Sequence, residues 1–541
     1  MKTYTAIAQA LREHKVDVMF GLMGDANLFM ADSFEADFGG QFVAACHESS
    51  AVLMAHGYAG VSQRIGVATI THGPGLTNTV TALVEGVRSR TPVLVIAGDT
   101  ATEDKNNLQN ICQRDIVMSS GAGFEQARSA HTVLEDLAVA LKRAVNERRP
   151  IVFNIPKEFQ WADIEFTSIE SAAALAPAAE PDDAQMDAAV GIIAASSRPV
   201  ILAGRGAAAP DARKAVQALA ERIGAPVCTT LRGKGIFRED PYDLGICGGL
   251  ASEVGLDAIV GADCIIAFGA GLNILTTDVG ELFDGKRVVQ CDFDATAIGR
   301  YHRVDAGVVG DAGKVAETII EWLDQAEIQP TGYRSSGLKE RLAAAGYAGS
   351  TRARKEGTVD IQDALITLEK SLDSQRILVA DVGRFMTETV KMLSVPDPFS
   401  YVHGGNFASI GLGMGNAIGA SFACPNRPTL LVTGDGGFML GGLTEFNTAV
   451  RYGRDLIVAV MNDNSYGAEH IQFRTRDMDP RRTLFEWPDF SEVATALGGS
   501  GFTVTTKSDL DALPEKIQNR RGPLLLDIRL DPDAMPEPAR Y

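Results

Sequence analysis

Short apolar runs separated by amphipathic or polar stretches recur along the chain. In its first part they cover residues 16–22, 41–46, 65–71, 91–98 and 150–156. These runs are rich in β-branched residues and do not alternate with polar positions, which is typical of strands buried on both faces. Helical stretches lie between them, and residues 1–15 begin as an amphipathic helix. Strands and helices that alternate in this way predict a parallel sheet covered by helices.

The same pattern returns twice. Apolar runs cover 198–207, 225–230, 262–271 and 286–294 in a second block, and 376–383, 429–433, 456–460 and 523–530 in a third. The Ala/Pro/acidic stretch 170–183 is typical of a linker, and a polar, charged stretch, 333–357, leads out of the second block. We therefore predict an α/β protein with three doubly wound parallel-sheet domains, over residues 1–168, 185–330 and 358–541.

Composition narrows the class of protein. A chain of 541 residues is too long for one hydrophobic core. Its residues are 45% hydrophobic and 22% charged, which is an ordinary composition for a globular protein. The chain shows neither an 18-residue apolar span nor a signal peptide. A net charge of -19 argues against nucleic acid as a partner. The seven cysteines form no CxxC pair, which indicates reduced thiols and no zinc site. We expect a cytoplasmic protein without a membrane partner.

Two polar loops follow strands of the third block. Gly434-Asp435-Gly436-Gly437 follows one apolar run and Asn462-Asp463-Asn464 follows the next, with a helix predicted between them over 441–453. A Gly-Asp-Gly after a strand is often only a turn. However, both loops lie at the carboxyl ends of strands, where open α/β sheets bind ligands. Two carboxylates with glycine amides suit a hard cation such as Mg²⁺ that carries a phosphate group, and the chain has no P-loop.

The spacing of these loops resembles the diphosphate motif of thiamine diphosphate (ThDP) enzymes, in which GDG is followed by about 25 residues and an Asn pair. Here the second Asn is replaced by Asp463, which keeps an oxygen ligand and adds a negative charge. The resemblance implies that Asp435 and Asp463 bind the metal through their side chains and Ser465 through its carbonyl. The backbone implied to hold the diphosphate is that of Gly436, Gly437, Ser465, Tyr466 and Gly467.

The first block also resembles this family. The stretch AACHESSAVLMAHGYA (44–59) matches the segment of the catalytic glutamate and places it at Glu48, whose carboxylate would hydrogen-bond a pyrimidine nitrogen of the cofactor. The alternative is an ordinary glutamate stabilised at a helix N-terminus. The stretch THGPGLTNTVTALVEG (71–86) resembles the Gly-Pro-Gly loop near the pyrimidine. The contacts or supports that it implies are Thr71, Pro74 and Asn78.

The stretch NFASIGLGMGNAIGA (406–420) resembles the segment that bends the cofactor. Ile410 falls at the wedge position, unless it is an ordinary core residue, and Ala408 would offer its carbonyl to the aminopyrimidine. The whole chain looks most like the acetolactate synthase, benzaldehyde lyase and 2-oxo acid decarboxylase group. This implies a pyrimidine-binding domain, a Rossmann-like central domain and a diphosphate-binding domain, in that order. It also implies a cofactor between two subunits, hence at least a dimer and commonly a tetramer.

The residues expected to face the substrate combine features of different relatives. Met23 stands where acetolactate synthases carry proline and benzaldehyde lyase carries histidine. Asp25 stands where pyruvate decarboxylase-like enzymes carry a catalytic aspartate, and it is either a proton relay or a helix cap. The stretch 106–117 resembles the loop of the active-site glutamine, with Gln109 better placed than Gln113.

Further side chains lie close to the motifs. Among His47, His72, His403 and His470 we select His72 as a catalytic candidate, with a structural role as the alternative for each. Residues just past the metal loop would line the substrate entry or stay solvated: Phe473, Arg474 and Arg476. The stretches 203–207 and 292–299 resemble segments around the FAD of acetolactate synthases, but a lone Gly-x-Gly is weak evidence and FAD is not favoured.

These features predict a ThDP- and Mg²⁺-dependent carbon–carbon lyase or ligase that decarboxylates a 2-oxo acid and joins it to an acceptor, as acetolactate synthase does. The alternative within the class is cleavage of 2-hydroxyketones or diones, as in benzaldehyde lyase or a dione hydrolase. A nicotinamide-dependent dehydrogenase is the alternative outside it. The first block lacks a clean GxGxxG with an acidic residue about 20 positions later, which that class requires. A non-catalytic relative would have lost Glu48 or Asp435, and both are present.

Overall fold

The computed structural model describes residues 1–169, 181–346 and 355–534. Within these ranges the contacts define two compact units: one contains 1–169, 355–386 and 402–534, and the other contains 181–346 and 387–401. The predicted linker 170–183 lies almost entirely outside the described residues, as does part of 333–357. Across the described ranges, no helix combines the length and the apolar character that crossing a membrane requires.

The first sheet has six strands in the order β2-β1-β3-β4-β6-β5, and neighbouring strands run parallel. The strands are β1 (Val18–Gly21), β2 (Gln41–Ala44), β3 (Gly66–Ile70), β4 (Val93–Asp99), β5 (Gly123–Gln126) and β6 (Ile151–Pro156). The helices are α1 (Thr3–Glu13), α2 (Leu28–Ala36), α3 (Glu48–Ser62), α4 (Pro74–Thr77), α5 (Val80–Arg88), α6 (Gln113–Ser119) and α7 (Val133–Glu147).

The second sheet is also parallel, in the order β12-β11-β10-β7-β8-β9. Its strands are β7 (Pro199–Ala203), β8 (Val227–Thr229), β9 (Asp243–Ile246), β10 (Cys264–Phe268), β11 (Arg287–Asp292) and β12 (Ala306–Val309). The helices are α8 (Asp183–Ala194), α9 (Pro210–Ile223), α10 (Glu253–Gly261), α11 (Ala312–Gln325) and α12 (Ser336–Ala344). A Cβ on Gly204 would lie 2.2 Å from the Gly269 carbonyl oxygen, so close backbone packing by itself requires this glycine of the Gly-x-Gly.

The third sheet has the order β14-β13-β15-β16-β18-β17. Its strands are β13 (Ile377–Ala380), β14 (Tyr401–His403), β15 (Thr429–Gly434), β16 (Leu456–Asn462), β17 (Ser500–Val504) and β18 (Leu524–Arg529). The helices of this part of the chain are α13 (Ile361–Ser371), α14 (Met386–Met392), α15 (Gly413–Ala423), α16 (Asp435–Gly437), α17 (Leu443–Arg451), α18 (Gly467–Arg474), α19 (Phe490–Ala496) and α20 (Lys507–Gln518).

The three sheets confirm the predicted fold class, and every predicted apolar run contains a strand. The hydrophobic pattern did not predict five of the strands, and each of these is an edge strand of its sheet: β5, β9, β12, β14 and β17. The helix predicted over 441–453 is α17, in which Phe446 is buried and Leu443 packs against the same core.

One close helix pair fixes the two predicted cofactor segments to each other. Helices α3 and α15, both in the first unit, pack almost backbone to backbone. A Cβ on Gly57 would lie 2.1 Å from the Asn416 carbonyl oxygen, and a Cβ on Gly419 would lie 1.8 Å from that of Met54. These glycines are therefore needed for the approach itself. The helix that begins with Glu48 is thus held against the helix that follows residues 408–410.

Candidate functional site

The two polar loops of the third sheet lie side by side, as predicted. Strands β15 and β16 are adjacent and parallel, with Gly434 opposite Met461, so their carboxyl ends meet at the same edge. Asp435 and Asp463 directly follow these strands and are only 3% and 6% exposed. Helix α17 forms part of the connection between the two strands. The strand–helix–strand unit therefore brings two carboxylates together inside the protein.

The electrostatics of this pair favour a cation. Burial raises the pKa of Asp435 to about 7, and the neighbouring charge of Asp463 acts in the same direction. Burial also raises the pKa of Asp463. Each carboxylate already accepts main-chain hydrogen bonds, from Gly436 N to Asp435 at 2.8 Å and from Ser465 N to Asp463 at 3.0 Å. Two buried like charges held in fixed positions are relieved by a positive ion between them.

The donor set fits a metal bound together with a phosphate group. Among the described residues, no cluster of three or more His, Cys, Asp and Glu side chains forms a metal site made of side chains alone. A hexacoordinate ion here would need main-chain or phosphate oxygens in addition to Asp435 and Asp463. Packing against neighbouring side chains requires two glycines of these loops: a Cβ on Gly436 would lie 2.6 Å from the Tyr466 ring, and one on Gly467 would lie 2.8 Å from Arg384 Cδ.

Glu48 combines the two interpretations that the sequence left open. It is the first residue of α3, where the N-cap His47 accepts a hydrogen bond from Ser49 N at 3.1 Å. Its side chain also reaches the Gly-Pro-Gly loop, since Asn78 Nδ2 donates to Glu48 Oε2 at 3.0 Å. A Cβ on Gly75 of that loop would lie 3.7 Å from Glu48 Oε1. The helix terminus therefore aims the carboxylate at the predicted pyrimidine loop.

A buried glutamate of α17 holds the backbone just before Glu48. Glu445 is fully buried and its Oε1 accepts hydrogen bonds from Cys46 N at 2.9 Å and His47 N at 3.1 Å. Its Oε2 accepts a hydrogen bond from Thr448 Oγ1 at 2.7 Å. No motif in the sequence indicated a role for Glu445. The only local signal is that it is an acidic residue within an amphipathic helix.

A second buried glutamate lies in the first block and holds the backbone before Ala408, in the third block. Glu85 of α5 is fully buried and accepts hydrogen bonds from Asn406 Nδ2 and from Phe407 N, both at 2.7 Å. The next residue, Ala408, has a φ of +57°, which is strained for a residue with a side chain. Ile410 is only partly buried, so it is not an ordinary core residue. The strain and the exposure lie in the segment predicted to hold the cofactor.

Asp381 supports the far end of the same segment. Its Oδ2 accepts a hydrogen bond from Gly411 N at 3.1 Å and from Thr433 Oγ1 at 3.0 Å. Burial raises the pKa of Asp381 to about 6. Because Thr433 belongs to β15, this carboxylate ties the predicted wedge segment to the strand that ends in Asp435. No motif in the sequence indicated a role for Asp381.

At the carboxyl edge of the first sheet, Asp25 forms an ion pair with Lys157. A hydrogen bond from the Lys157 ammonium lowers the pKa of Asp25. Thr71 Oγ1 lies 3.4 Å and the buried His72 Nδ1 3.8 Å from Asp25 Oδ1. The N-cap of α2 is Asn27, so Asp25 is not the cap of that helix. Lys157 was missed because it follows β6, more than a hundred positions away.

The two glutamine candidates have different environments. Gln113 is buried, accepts a hydrogen bond from Gly73 N at 2.8 Å and donates to Gly98 O at 2.9 Å, which supports the Gly-Pro-Gly loop. Gln109 is partly exposed, and its carbonyl oxygen lies 2.3 Å from where a Cβ on Gly73 would be. Pro74 begins α4. Met23 is largely exposed.

The side chains past the metal loop have identifiable partners. His470 is buried between Thr483 Oγ1 at 3.1 Å and Asp533 Oδ1 at 2.9 Å. Arg474 forms an ion pair with the same Asp533. Arg476 is exposed, Phe473 and His403 are partly buried, and His47 caps α3. In this arrangement His470 and Arg474 attach the chain around Asp533 to α18.

The chain is similar to known proteins along most of its length. Three family models match in order: the N-terminal TPP binding domain of thiamine pyrophosphate enzymes over residues 1–119, their central domain over 186–319, and their C-terminal TPP binding domain over 381–528. The chain is 28% identical to a probable acetolactate synthase large subunit of Methanocaldococcus jannaschii, over 99% of this chain and 93% of that protein.

Two further relatives have similar coverage. The acetolactate synthase large subunit of Corynebacterium glutamicum is 28% identical over 98% of this chain and 87% of its own length. The sulfoacetaldehyde acetyltransferase of Alcaligenes xylosoxydans xylosoxydans is 27% identical over 93% of this chain and 88% of its own length. The likeness therefore extends over all three sheets.

Proposed function

Because the chain belongs to the thiamine pyrophosphate (ThDP) enzymes, in the acetolactate synthase group, we propose that it is a Mg²⁺-dependent carbon–carbon lyase or ligase acting on a 2-oxo acid. In this proposal decarboxylation of the acid is coupled to carboligation with a second carbonyl compound. Bound ThDP supplies the electron sink for the carbanion chemistry. The protein supplies binding, orientation and proton transfer.

The observation that carries the proposal is the buried pair Asp435 and Asp463 at one edge of the third sheet. In their ionised form they would bind Mg²⁺ through side-chain oxygens, together with the Ser465 carbonyl. The glycines at 436, 437 and 467 would let the diphosphate approach the backbone. Glycine is needed at 436 and 467 because a Cβ there would meet neighbouring side chains.

The chain's own acid–base groups have distinct proposed roles. Glu48 would exchange a proton with a pyrimidine nitrogen, and Asn78 holds one of its oxygens in place. Ala408 and Ile410 would orient the cofactor. Asp25, with His72 and Gln109, would face the reacting carbonyl. Lys157 keeps Asp25 ionised, because its ammonium lowers the pKa of that carboxyl.

The test is carbon dioxide release from a panel of 2-oxo acids, with and without added ThDP and Mg²⁺. The panel runs from pyruvate to phenylpyruvate and benzoylformate, each assayed with product analysis for aldehydes and acyloins. We expect release that depends on both ThDP and Mg²⁺. Turnover at an equal rate in protein stripped of both would refute the proposal.

A panel of 2-hydroxyketones, diones and sulfoacetaldehyde is assayed in parallel. Activity on one of these, without carbon dioxide release from any 2-oxo acid, would replace the proposed substrate class while keeping ThDP chemistry. Sulfoacetaldehyde is included because the chain is similar to a sulfoacetaldehyde acetyltransferase.

The remaining features belong to the same proposal. We retain the domain limits 1–168, 185–330 and 358–541, at least a dimer with a tetramer as the commoner assembly, and a cytoplasmic location. Residues Cys46, Cys112, Cys228, Cys247, Cys264, Cys291 and Cys424 are all free thiols, which supports a reducing compartment. FAD is left out of the proposal, because backbone packing already requires the glycine at 204.

A further inference from the structure

Trp487 contacts a carboxylate of the candidate metal site. Its indole Nε1 donates a hydrogen bond to Asp435 Oδ2 at 2.9 Å, while the other oxygen of Asp435 accepts from Gly436 N at 2.8 Å. Both oxygens of this carboxylate therefore have a defined donor, which fixes the plane of the group. A hydrogen bond to an ionised acceptor is among the stronger ones in proteins.

The segment that carries this indole is attached to the other loop. We call residues 483–490 the strap. Tyr466 N donates to Thr483 O and Phe485 N donates to Asn464 O, both at 2.9 Å, on either side of a bridge between Ser465 and Leu484. The strap thus pairs by its backbone with the loop that contains Asp463, and by Trp487 with the loop that contains Asp435.

The two ends of the strap are also anchored. At its start, the buried His470 contacts Thr483 Oγ1 at 3.1 Å. At its end, Phe490 N donates to Asp527 Oδ2 at 3.1 Å, and Asp527 Oδ1 accepts from Asn462 Nδ2 at 2.8 Å. The strap is therefore bound to the second loop at several points along its length.

An aromatic column holds the indole in place. The Phe485 and Trp487 rings are stacked with centroids 4.8 Å apart and an angle of 15° between their planes. Tyr466 lies 4.5 Å from Phe485 on the same column, and its ring covers Gly436. A stacked ring is restricted by its neighbours, so the packing of the aromatic rings itself keeps the N–H aimed at Asp435.

We propose that Trp487 is a positioning residue for the metal and diphosphate site, and that the strap couples the two metal-binding loops through it. The inference rests on the proposed ThDP and Mg²⁺ function. The indole holds one orientation of the Asp435 carboxylate and so sets which oxygen faces the cation. Partners that orient a metal ligand typically change metal affinity about 10- to 100-fold when they are removed.

The test compares Trp487→Phe, which keeps a stacking ring but removes the N–H, with Trp161→Phe. Trp161 packs edge-on against Phe29 with centroids 4.6 Å apart and provides the same chemical change elsewhere. Mn²⁺ binding is measured by calorimetry in the presence of ThDP. We expect the Mn²⁺ Kd of Trp487→Phe to rise about 10- to 100-fold, with kcat at saturating metal close to that of the wild type. Trp161→Phe should leave the Kd unchanged.

A second measurement leaves Trp487 intact. The chain has three tryptophans, so Trp161→Phe combined with Trp322→Phe makes Trp487 the only indole emitter. Its emission should change on addition of Mg²⁺ with ThDP and should saturate at the calorimetric Kd. This readout replaces the first if Trp487→Phe does not fold.

The outcomes separate the inference from the function. If the wild type binds Mn²⁺ with ThDP but Trp487→Phe has the same Kd, the inference is overturned and the function stands. Emission that does not change at saturating Mg²⁺ and ThDP overturns it as well. If the wild type binds neither ligand, the proposed function fails and the inference fails with it.

Discussion

The first and third sheets share one strand order, 2-1-3-4-6-5 when counted within each sheet, yet their carboxyl edges differ in electrostatics. At the first edge, Asp25 is partly exposed and the Lys157 ammonium lowers its pKa. At the third edge, Asp435 and Asp381 are buried, and burial raises their pKa values to about 7 and about 6. The same topology thus presents a solvated ion pair in one place and buried carboxylates in the other. Topology fixes where loops meet, and the loop residues decide the chemistry.

The two regions also position each other. Glu85, in the first region, holds the backbone before Ala408, and Glu445, in the third, holds the backbone before Glu48. Each predicted half of the cofactor site is therefore supported by a buried carboxylate from the other region. Neither half therefore has its geometry set by its own sheet alone.

The largest expected effect is a loss of proton transfer, and so of carbon dioxide release, in a protein that still binds Mg²⁺ and ThDP. Glu48→Gln should lower the rate of carbon dioxide release by about 10²- to 10⁴-fold, the usual contribution of a positioned acid–base group. Binding of Mg²⁺ with ThDP, measured by calorimetry, should persist because the buried carboxylates of the third sheet are untouched. Glu103→Gln, an exposed glutamate, is the control. Wild-type turnover in Glu48→Gln would remove Glu48 from the mechanism.

A substitution at the carboxyl edge of the third sheet should have the opposite effect, because it weakens metal binding and leaves Glu48 intact. Asp435→Ala removes a proposed metal ligand, so the Kd for Mg²⁺ in the presence of ThDP should rise at least about 100-fold, the upper end of effects for residues that only orient ligands. Activity should recover in part as Mg²⁺ is raised, which it cannot do in Glu48→Gln. The exposed Asp187→Ala is the control. An unchanged Kd would contradict the role of Asp435.

Replacing Glu85 should lower the melting temperature more than replacing Glu445. Both oxygens of Glu85 accept from N–H groups, so Glu85→Gln must place its amide NH₂ against a donor. In Glu445→Gln the NH₂ can face Thr448, whose hydroxyl can turn round and accept. Hydrogen bonds to charged groups contribute about 1.5 to 3 kcal/mol each, so both variants should melt earlier and Glu85→Gln should melt first. Scanning calorimetry and kcat on the same samples check this order, and the reverse order would contradict it.

The smallest effect concerns pH. Burial raises the pKa of Asp381 to about 6, so its favourable contribution to stability is present in acid and is lost as the pH rises through about 6. Asp25 has a lowered pKa, so its contribution is present at neutral pH and is lost only as the pH falls below its ordinary value. Melting temperatures of Asp381→Asn and Asp25→Asn, each relative to the wild type from about pH 2 to about pH 8, should therefore change in opposite directions, with the Asp25→Asn difference changing only below about pH 4. Parallel curves would contradict the contrast between the two edges.

The parts of this protein that have a local signature could be predicted from the amino-acid pattern. Strands buried on both faces must be continuous apolar runs, so every such run marked a strand. Asp435 and Asp463 could be predicted to lie close together because a short loop after a buried strand has one position in a parallel sheet, at its carboxyl edge, and the structure places both there. Glu48 was found by its resemblance to a known segment, and the structure places its side chain against the Gly-Pro-Gly loop.

The edge strands and the long-range hydrogen bonds of the site have no such local signature and follow from how the elements pack. The missed strands β5, β9, β12 and β17 are partly exposed along their length, so they carry no continuous apolar run. Glu445 and Cys46 are 399 positions apart, and Trp487 and Asp435 are 52 apart. A polar residue inside a helix or loop looks alike whether it is solvated or buried against a distant backbone. Its hydrogen-bond partner depends on which elements pack together. Such a bond requires only that the two groups are close in space, so it produces no periodic pattern along the chain.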